Sequence, residues 1–418
     1  MYKSSFIIVV IQLFSIVLGF ISIYIVAGDM APEVYSLVGV YTVVSGVILT
    51  FSQLGVETTM MREALLWLQK GDTGKVTEYT TQSILSRFIG FALIAPFILL
   101  YLAYLNIFKY DGHYTILFVS FFIGACMSSL NDSMSLMVRS HGGYVFSQFA
   151  KSLNVSFMKF VAILVYIKWG ALPYLYFYAL YSIPLLFIFV NRLHPYFSCR
   201  YINVRATFSK IKDAKFLVLR SYLDYFYSYA DSIVVSIVFP TYIMGSYSIL
   251  KNLENILRQF IEGFFDVLSQ RNVKCKCDYL ALCKNEKSYN KARIIAAILL
   301  IIGILIYSVD TVFFINIVNL SKYIGIQYIL YAVCFIGLFY LLGKYEISAI
   351  SILAPSKTNF LYGCATCCLS VLAYVWLFAI PALEGMLLQR LTTYLLSSLL
   401  AIVIFRRKRH YYYSNILK

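Results

Sequence analysis

The sequence predicts an all-α integral membrane protein with twelve transmembrane helices, arranged as two six-helix halves around a central cavity. Three observations predict it. Hydrophobic residues make up 61% of the 418-residue chain and charged residues 13%, against a charged share of about 25% in soluble domains. Apolar runs of about 20 residues, the length that crosses roughly 30 Å of hydrocarbon, recur from one end to the other. The basic residues are segregated between alternate connections. A soluble chain this apolar could not cover its surface with polar groups, so soluble enzymes, nucleic-acid binders and secreted disulfide scaffolds are excluded.

The first run, Ser5–Ala27, is longer than a signal-peptide core and no small-residue cleavage site follows it, so it reads as a retained span. The second to sixth spans are Val34–Val56, Ile84–Asn106, Tyr114–Val138, Ser152–Lys168 and Tyr174–Asn191. The seventh, Phe216–Phe239, and the eighth, Ile243–Asp266, flank a three-residue turn. Ile294–Ile317, Ile326–Gly343, Thr358–Phe378 and Gly385–Phe405 complete the set. The eighth carries five charges and could be read as a surface amphipathic helix. Parity keeps it as a span, because without it one of the basic segments Arg192–Lys215 or Ser269–Arg293 would face outward.

Of the 35 Lys and Arg residues, three (Lys109, Lys168, Lys322) fall on the odd-numbered connections and six within spans; the other 26 lie on the termini and even-numbered connections. By the positive-inside rule both termini are expected in the cytoplasm. The net charge of +16 is then a topology signal that suits an anionic inner leaflet. The domain reading is an N-terminal half over 1–191, a basic cytoplasmic linker over 192–215, a C-terminal half over 216–405 and a basic tail over 406–418. A shift of 212 residues lays Tyr35-Ser36 on Tyr247-Ser248 and Ile23, Ile25 and Val26 on Val235, Ile237 and Val238. Six spans per repeat give both halves the same orientation, an arrangement expected of transporters.

Ionisable groups at membrane depth cost a few kcal/mol each and usually face a bundle interior or a watery cavity. Here they form stripes at helical spacing. The seventh span carries Arg220, Asp224, Tyr227, Ser228 and Asp231; the eighth carries Lys251, Glu254, Asn255, Arg258, Glu262 and Asp266. Shorter stripes are Ser128, Asp132, Ser135 and Arg139 in the fourth, Ser152, Ser156 and Lys159 in the fifth, and Arg390, Thr393, Tyr394 and Ser397 in the twelfth. A hydrated cavity of mixed sign, lined by both halves, is expected. Its basic side chains Lys159, Arg390, Arg220, Lys251 and Arg258 are the candidate anion contacts, with Lys159 and Arg390 preferred because neither has a carboxylate four residues away. The carboxylates Asp231, Asp224, Glu254, Glu262 and Asp132 are the candidate ion-coupling groups, and Asp231 is preferred because it has no basic residue at that spacing. The competing reading is that such pairs lock helices together in a dry bundle. Arg87 and Arg139, near span ends, are expected to snorkel to the headgroups.

Tyr174, Tyr176, Tyr178, Tyr181, Tyr222, Tyr225, Tyr227 and Tyr229 crowd spans six and seven, where they could stack on sugar rings or belong to an aromatic belt. Cys275, Cys277 and Cys283 lack a persuasive fourth ligand, and the four histidines are scattered over separate connections and the tail, so no metal and no cofactor is expected. No GxxxxGK[ST] phosphate loop is present. A membrane glycan polymerase or ligase would need a sizeable external loop bearing catalytic Arg or His, and the odd-numbered connections are too short for one.

Three passages carry a resemblance to the O-antigen and polysaccharide lipid flippases of the multidrug/oligosaccharidyl-lipid/polysaccharide exporter superfamily. The first is Ala31-Pro-Glu-Val-Tyr-Ser-Leu, running on to Leu54-Gly-Val-Glu57 and Arg62-Glu63. The second is Tyr229-Ala-Asp231-Ser-Ile-Val-Val followed by Gly245-Ser-Tyr247-Ser248, and the third is the basic break Arg192–Lys215. The resemblance implies a MATE-like fold and a bacterial inner-membrane transporter rather than an enzyme. It would flip undecaprenyl-pyrophosphate-linked oligosaccharide repeat units to the periplasmic leaflet by alternating access, coupled to an ion gradient. Its implied partners are that glycan, membrane lipids, and the polysaccharide polymerase and chain-length machinery; nucleic acid is not among them. A drug/cation antiporter of the same superfamily is the alternative, with Asp231 or Glu254 as its cation site.

Overall fold

The computed structural model describes residues 2–57, 59–60, 67–68, 70–141, 143–274, 279–309, 319–353, 356–380 and 383–414, and among these there is no β-strand. Each of the twelve expected spans meets a helix. Nine helices among the described residues are long and apolar enough to cross a membrane, and the first and seventh spans add shorter apolar stretches, Leu13–Ala27 and Tyr227–Val238. The eighth, Thr241–Lys274, is too charged to qualify by hydropathy, yet Tyr247, Ile249, Leu250, Leu253 and Ile256 on it are buried. It packs against spans one, two and ten, which a surface helix would not do.

The pairing of helices repeats. Span one packs on five, two on three and four, three on four, and six on four and five; six spans later, seven packs on eleven, eight on nine and ten, nine on ten, and twelve on ten and eleven. The halves meet where two crosses seven and eight and where one crosses eight. The outer surface is apolar, with Phe97, Ile116, Leu372 and Phe378 exposed, as a multi-pass membrane protein requires.

Several boundaries differ from expectation. The sixth span is two helices, Ala171–Leu180 and Ile183–Leu193, because Pro184 has no N–H to continue the ladder. Beside this break the buried Ser182 carbonyl accepts from the Leu186 N–H at 3.3 Å and from Asn131 Nδ2 at 2.6 Å. The eleventh breaks at Tyr374, between Ser356–Ala373 and Val375–Ala379, and the first ends in a π turn over Ile23–Ala27. The third, Thr73–Lys109, is 37 residues long and starts well before the apolar stretch, with Asp72 accepting from the Lys75 N–H at 3.0 Å. That early turn carries Glu78, which binds Lys210 at 2.8 Å, so the helix Val204–Asp213 of the basic linker docks on it.

Candidate functional site

The densest group of buried charges lies in the C-terminal half, where the stripes of spans seven, eight and twelve converge. Asp231, Lys251, Glu254 and Arg390 are 2%, 6%, 1% and 1% exposed. Arg390 Nη2 and Nε grip Glu254 at 2.7 and 3.2 Å, and Nη1 lies 3.4 Å from Asp231 Oδ2. Lys251 Nζ lies 3.2 Å from the same Asp231 oxygen and 3.8 Å from Glu254. The remaining valences are filled: Arg390 Nη1 donates to the Tyr227 carbonyl at 2.8 Å, Lys251 to the Ser228 carbonyl at 2.8 Å, and the Ser232 N–H to Asp231 at 2.8 Å. The hydroxyls of Tyr247 and Tyr394 donate to Asp231 and Glu254. Two acids and two bases make the quartet formally neutral, which offsets the desolvation each charge suffers.

This geometry corrects two expectations. Arg390 and Asp231 were expected to be unpaired because neither has an oppositely charged residue four positions away, but each is paired from another span. Lys251 likewise faces carboxylates rather than open space. Sequence spacing reads partners along one helix and is blind to partners across helices.

The N-terminal half has a separate pair. Arg87 and Glu57 are each 1% exposed, joined at 2.9 and 2.5 Å. Arg87 Nη1 also donates to the Leu49 carbonyl and the Ser52 and Ser129 hydroxyls at 2.9, 2.9 and 3.0 Å. Arg87 therefore does not snorkel. Gly55, with φ at +79°, turns the chain after span two so that Glu57 folds back beneath it, and Gly90 lets the third span approach Ser52, whose carbonyl oxygen would lie 2.4 Å from an added Cβ. Glu57 ends the Leu54-Gly-Val-Glu57 passage, whose sequence does not reveal its role as counter-charge to Arg87; an in-span arginine with no acid four residues away is the available signal.

Lys159 is placed differently. Its ammonium has one long hydrogen bond, 3.4 Å to the Ser15 carbonyl, and no carboxylate pairs with it among the described residues. A Cβ at Gly19 would stand 3.4 Å from Nζ and 3.0 Å from Ile256 Cδ1, so the charge lies where spans one, five and eight meet. Asp132, by contrast, is bound by Lys151. Arg220 stacks over Tyr362, 5.1 Å away, and passes Gly363, within the seven–eleven contact. Arg258 stacks over Tyr340 at 5.4 Å. The side chains of Asp224, Glu262 and Asp266, together with Cys275, Cys277, Arg62 and Glu63, lie outside the described residues.

The resembling passages meet one another at the seam. A Cβ on Gly245 would lie 2.1 Å from the Pro32 carbonyl oxygen, and one on Gly39 2.0 Å from Ser248 Oγ. Asn252 donates to the Tyr35 hydroxyl at 2.7 Å. At the odd-connection end, Asn319 and Lys322 donate to the Gly28 carbonyl at 2.7 and 2.8 Å, and the Tyr323 hydroxyl approaches the Ala27 and Met30 carbonyls at 3.0 and 3.2 Å. Lys109 donates to the Phe239 carbonyl at 3.1 Å. This end of the seam is hydrogen-bonded shut.

No family model and no curated protein matches the chain. Solved structures do. The inward-facing conformation of a multidrug resistance MATE family transporter of the MOP superfamily superposes with a TM-score of 0.63 at 13% identity, covering 97% of this chain and 98% of that one. The chain has the MATE fold. The outward-facing conformation of a multidrug resistance MATE family transporter gives 0.64 at 12% identity, covering 98% and 96%. A MATE structure in the straight conformation gives 0.61 at 13%, with the same coverage of 98% and 96%. At this identity the likeness is one of fold.

Proposed function

We propose that the protein is an alternating-access transporter that moves undecaprenyl-pyrophosphate-linked oligosaccharide from the cytoplasmic to the periplasmic leaflet of a bacterial inner membrane, with both termini in the cytoplasm. The observation that carries this reading is Lys159. An ammonium at membrane depth costs several kcal/mol unless an anion neutralises it, and here none of the described carboxylates does. A pyrophosphate passing between the halves would supply that charge. Rocking of one half against the other would open the seam to each side in turn, with the lipid tail remaining in the bilayer. The Asp231–Lys251–Glu254–Arg390 quartet is the proposed site of ion coupling, since protonation of either carboxylate would unbalance it. The polymerase and chain-length machinery would act on the delivered glycan.

The rival is a drug/cation antiporter, favoured by the multidrug resistance MATE transporters among the solved neighbours and by the two buried carboxylates. Lys159 would repel a cationic substrate. Deleting the gene separates the two. Accumulation of lipid-linked repeat units facing the cytoplasm, with drug tolerance unchanged, is the expected result. Normal surface glycan with reduced drug tolerance would establish the antiporter instead.

A further inference from the structure

A cleft of about 550 Å³ opens on the outer surface of the N-terminal half, between the start of the fifth span and the end of the sixth. This is within the range of small-molecule sites, about 300–1,000 Å³. It is lined by Phe146, Phe187, Ile188, Asn191, Arg192 and Pro195, none of which belongs to the seam or to the buried quartet. Phe187 is 70% exposed, and Ile188 and Phe146 are exposed too. Phe187, Ile188, Asn191 and Arg192 share one helix face, the polar pair one turn, about 5.4 Å, beyond the apolar pair. The Arg192 guanidinium stands 5.6 Å over the Phe146 ring, and no carboxylate pairs with it among the described residues.

A basic residue in the last turn of a helix is favoured by the helix dipole alone. That does not account for a cleft beside it whose apolar side chains Phe187, Ile188 and Phe146 are exposed. The layout, a planar five-donor cation and an amide at the top with apolar walls running toward the bilayer, complements a molecule with an anionic head and a hydrocarbon tail. Arginine binds phosphate with two parallel hydrogen bonds, and basic pockets beside transmembrane helices recognise anionic headgroups. We propose that this cleft binds an anionic phospholipid of the leaflet bordering the even-numbered connections. Its phosphate contacts Arg192 and Asn191, and an acyl chain lies along Phe187, Ile188 and Phe146.

The test uses the purified full chain in neutral detergent, titrated with phosphatidylglycerol, phosphatidylcholine or inorganic phosphate, and read by native mass spectrometry and by apparent Tm. Phosphatidylglycerol should remain bound and raise Tm, while phosphatidylcholine and phosphate do neither. Arg192→Gln should weaken phosphatidylglycerol binding roughly 10- to 100-fold, the equivalent of one charge-assisted contact. Arg200→Gln, at another exposed basic residue, should leave it unchanged. If Arg192→Gln fails to accumulate, Asn191→Leu and Phe187→Ala should each weaken the same binding. Equal retention of phosphatidylcholine, an equal Tm shift with phosphate, or undiminished binding by the cleft variants would overturn the proposal.

Discussion

Arg390→Gln leaves Asp231 and Glu254 buried with Lys251 as their one remaining cation within the quartet, a net charge of −1 where the intact cluster has none. At an effective dielectric of about 20, the 2.7 Å contact to Glu254 is worth about 6 kcal/mol of gross attraction and the 3.4 Å contact to Asp231 about 5. Removing Arg390 also removes its own desolvation cost, several kcal/mol, so the net loss should be about 3–5 kcal/mol. If the C-terminal half unfolds as a unit, apparent Tm should fall by roughly 6–20 °C. The second substitution decides the matter. Glu254→Gln on its own leaves a net charge of +1 and should also destabilise. Arg390→Gln with Glu254→Gln leaves the neutral Asp231–Lys251 pair and should recover most of the lost stability. Thermal melts of the purified single and double variants read this directly. A single variant as stable as the parent, or a double variant no better than either single, would show that charge balance does not hold these three helices together.

Lys159→Ala should reduce surface polysaccharide without reducing protein level, while Lys159→Arg retains part of it; normal export by the alanine variant would remove Lys159 from the mechanism. Gly245→Ala should force span eight away from the Pro32 carbonyl, and a cysteine introduced at Gly28 should then react faster with an impermeant thiol reagent than in the Gly245 parent. Burial, opposed by a hydrogen bond to the Met137 backbone and reinforced by Arg192, pushes the His141 imidazole down to about 4 from its ordinary 6.5; the ring also meets Thr80 and stacks on Tyr196. The unfolded chain therefore takes up a proton that the folded protein refuses, so this contribution to stability is intact above pH 6.5 and is lost as pH falls toward 4. After allowance for partial exposure the loss should be about 1–2 kcal/mol, and His141→Gln should flatten the dependence of apparent Tm on pH across that window.

The membrane class, the number and order of spans and the inclusion of the charged eighth helix were all legible in the sequence. They follow from local quantities: apolar length against bilayer thickness, and loop charge against parity. The polar stripes were legible for the same reason, since residues three and four apart share a face whatever surrounds the helix. What each stripe faces was not. Arg390 and Asp231 have no opposite charge four residues away on their own helices, and it is the convergence of spans seven, eight and twelve that joins them to Glu254 and Lys251. Arg87 finds Glu57 because the turn at Gly55 returns the chain beneath it, and Lys159 meets none of the described carboxylates because the helices around it present Ser15, Gly19 and Ile256. Composition and periodicity determine that a charge must be buried on a given face. Which charge it meets is a long-range contact, set by how the helices cross, and the tertiary structure alone decides it.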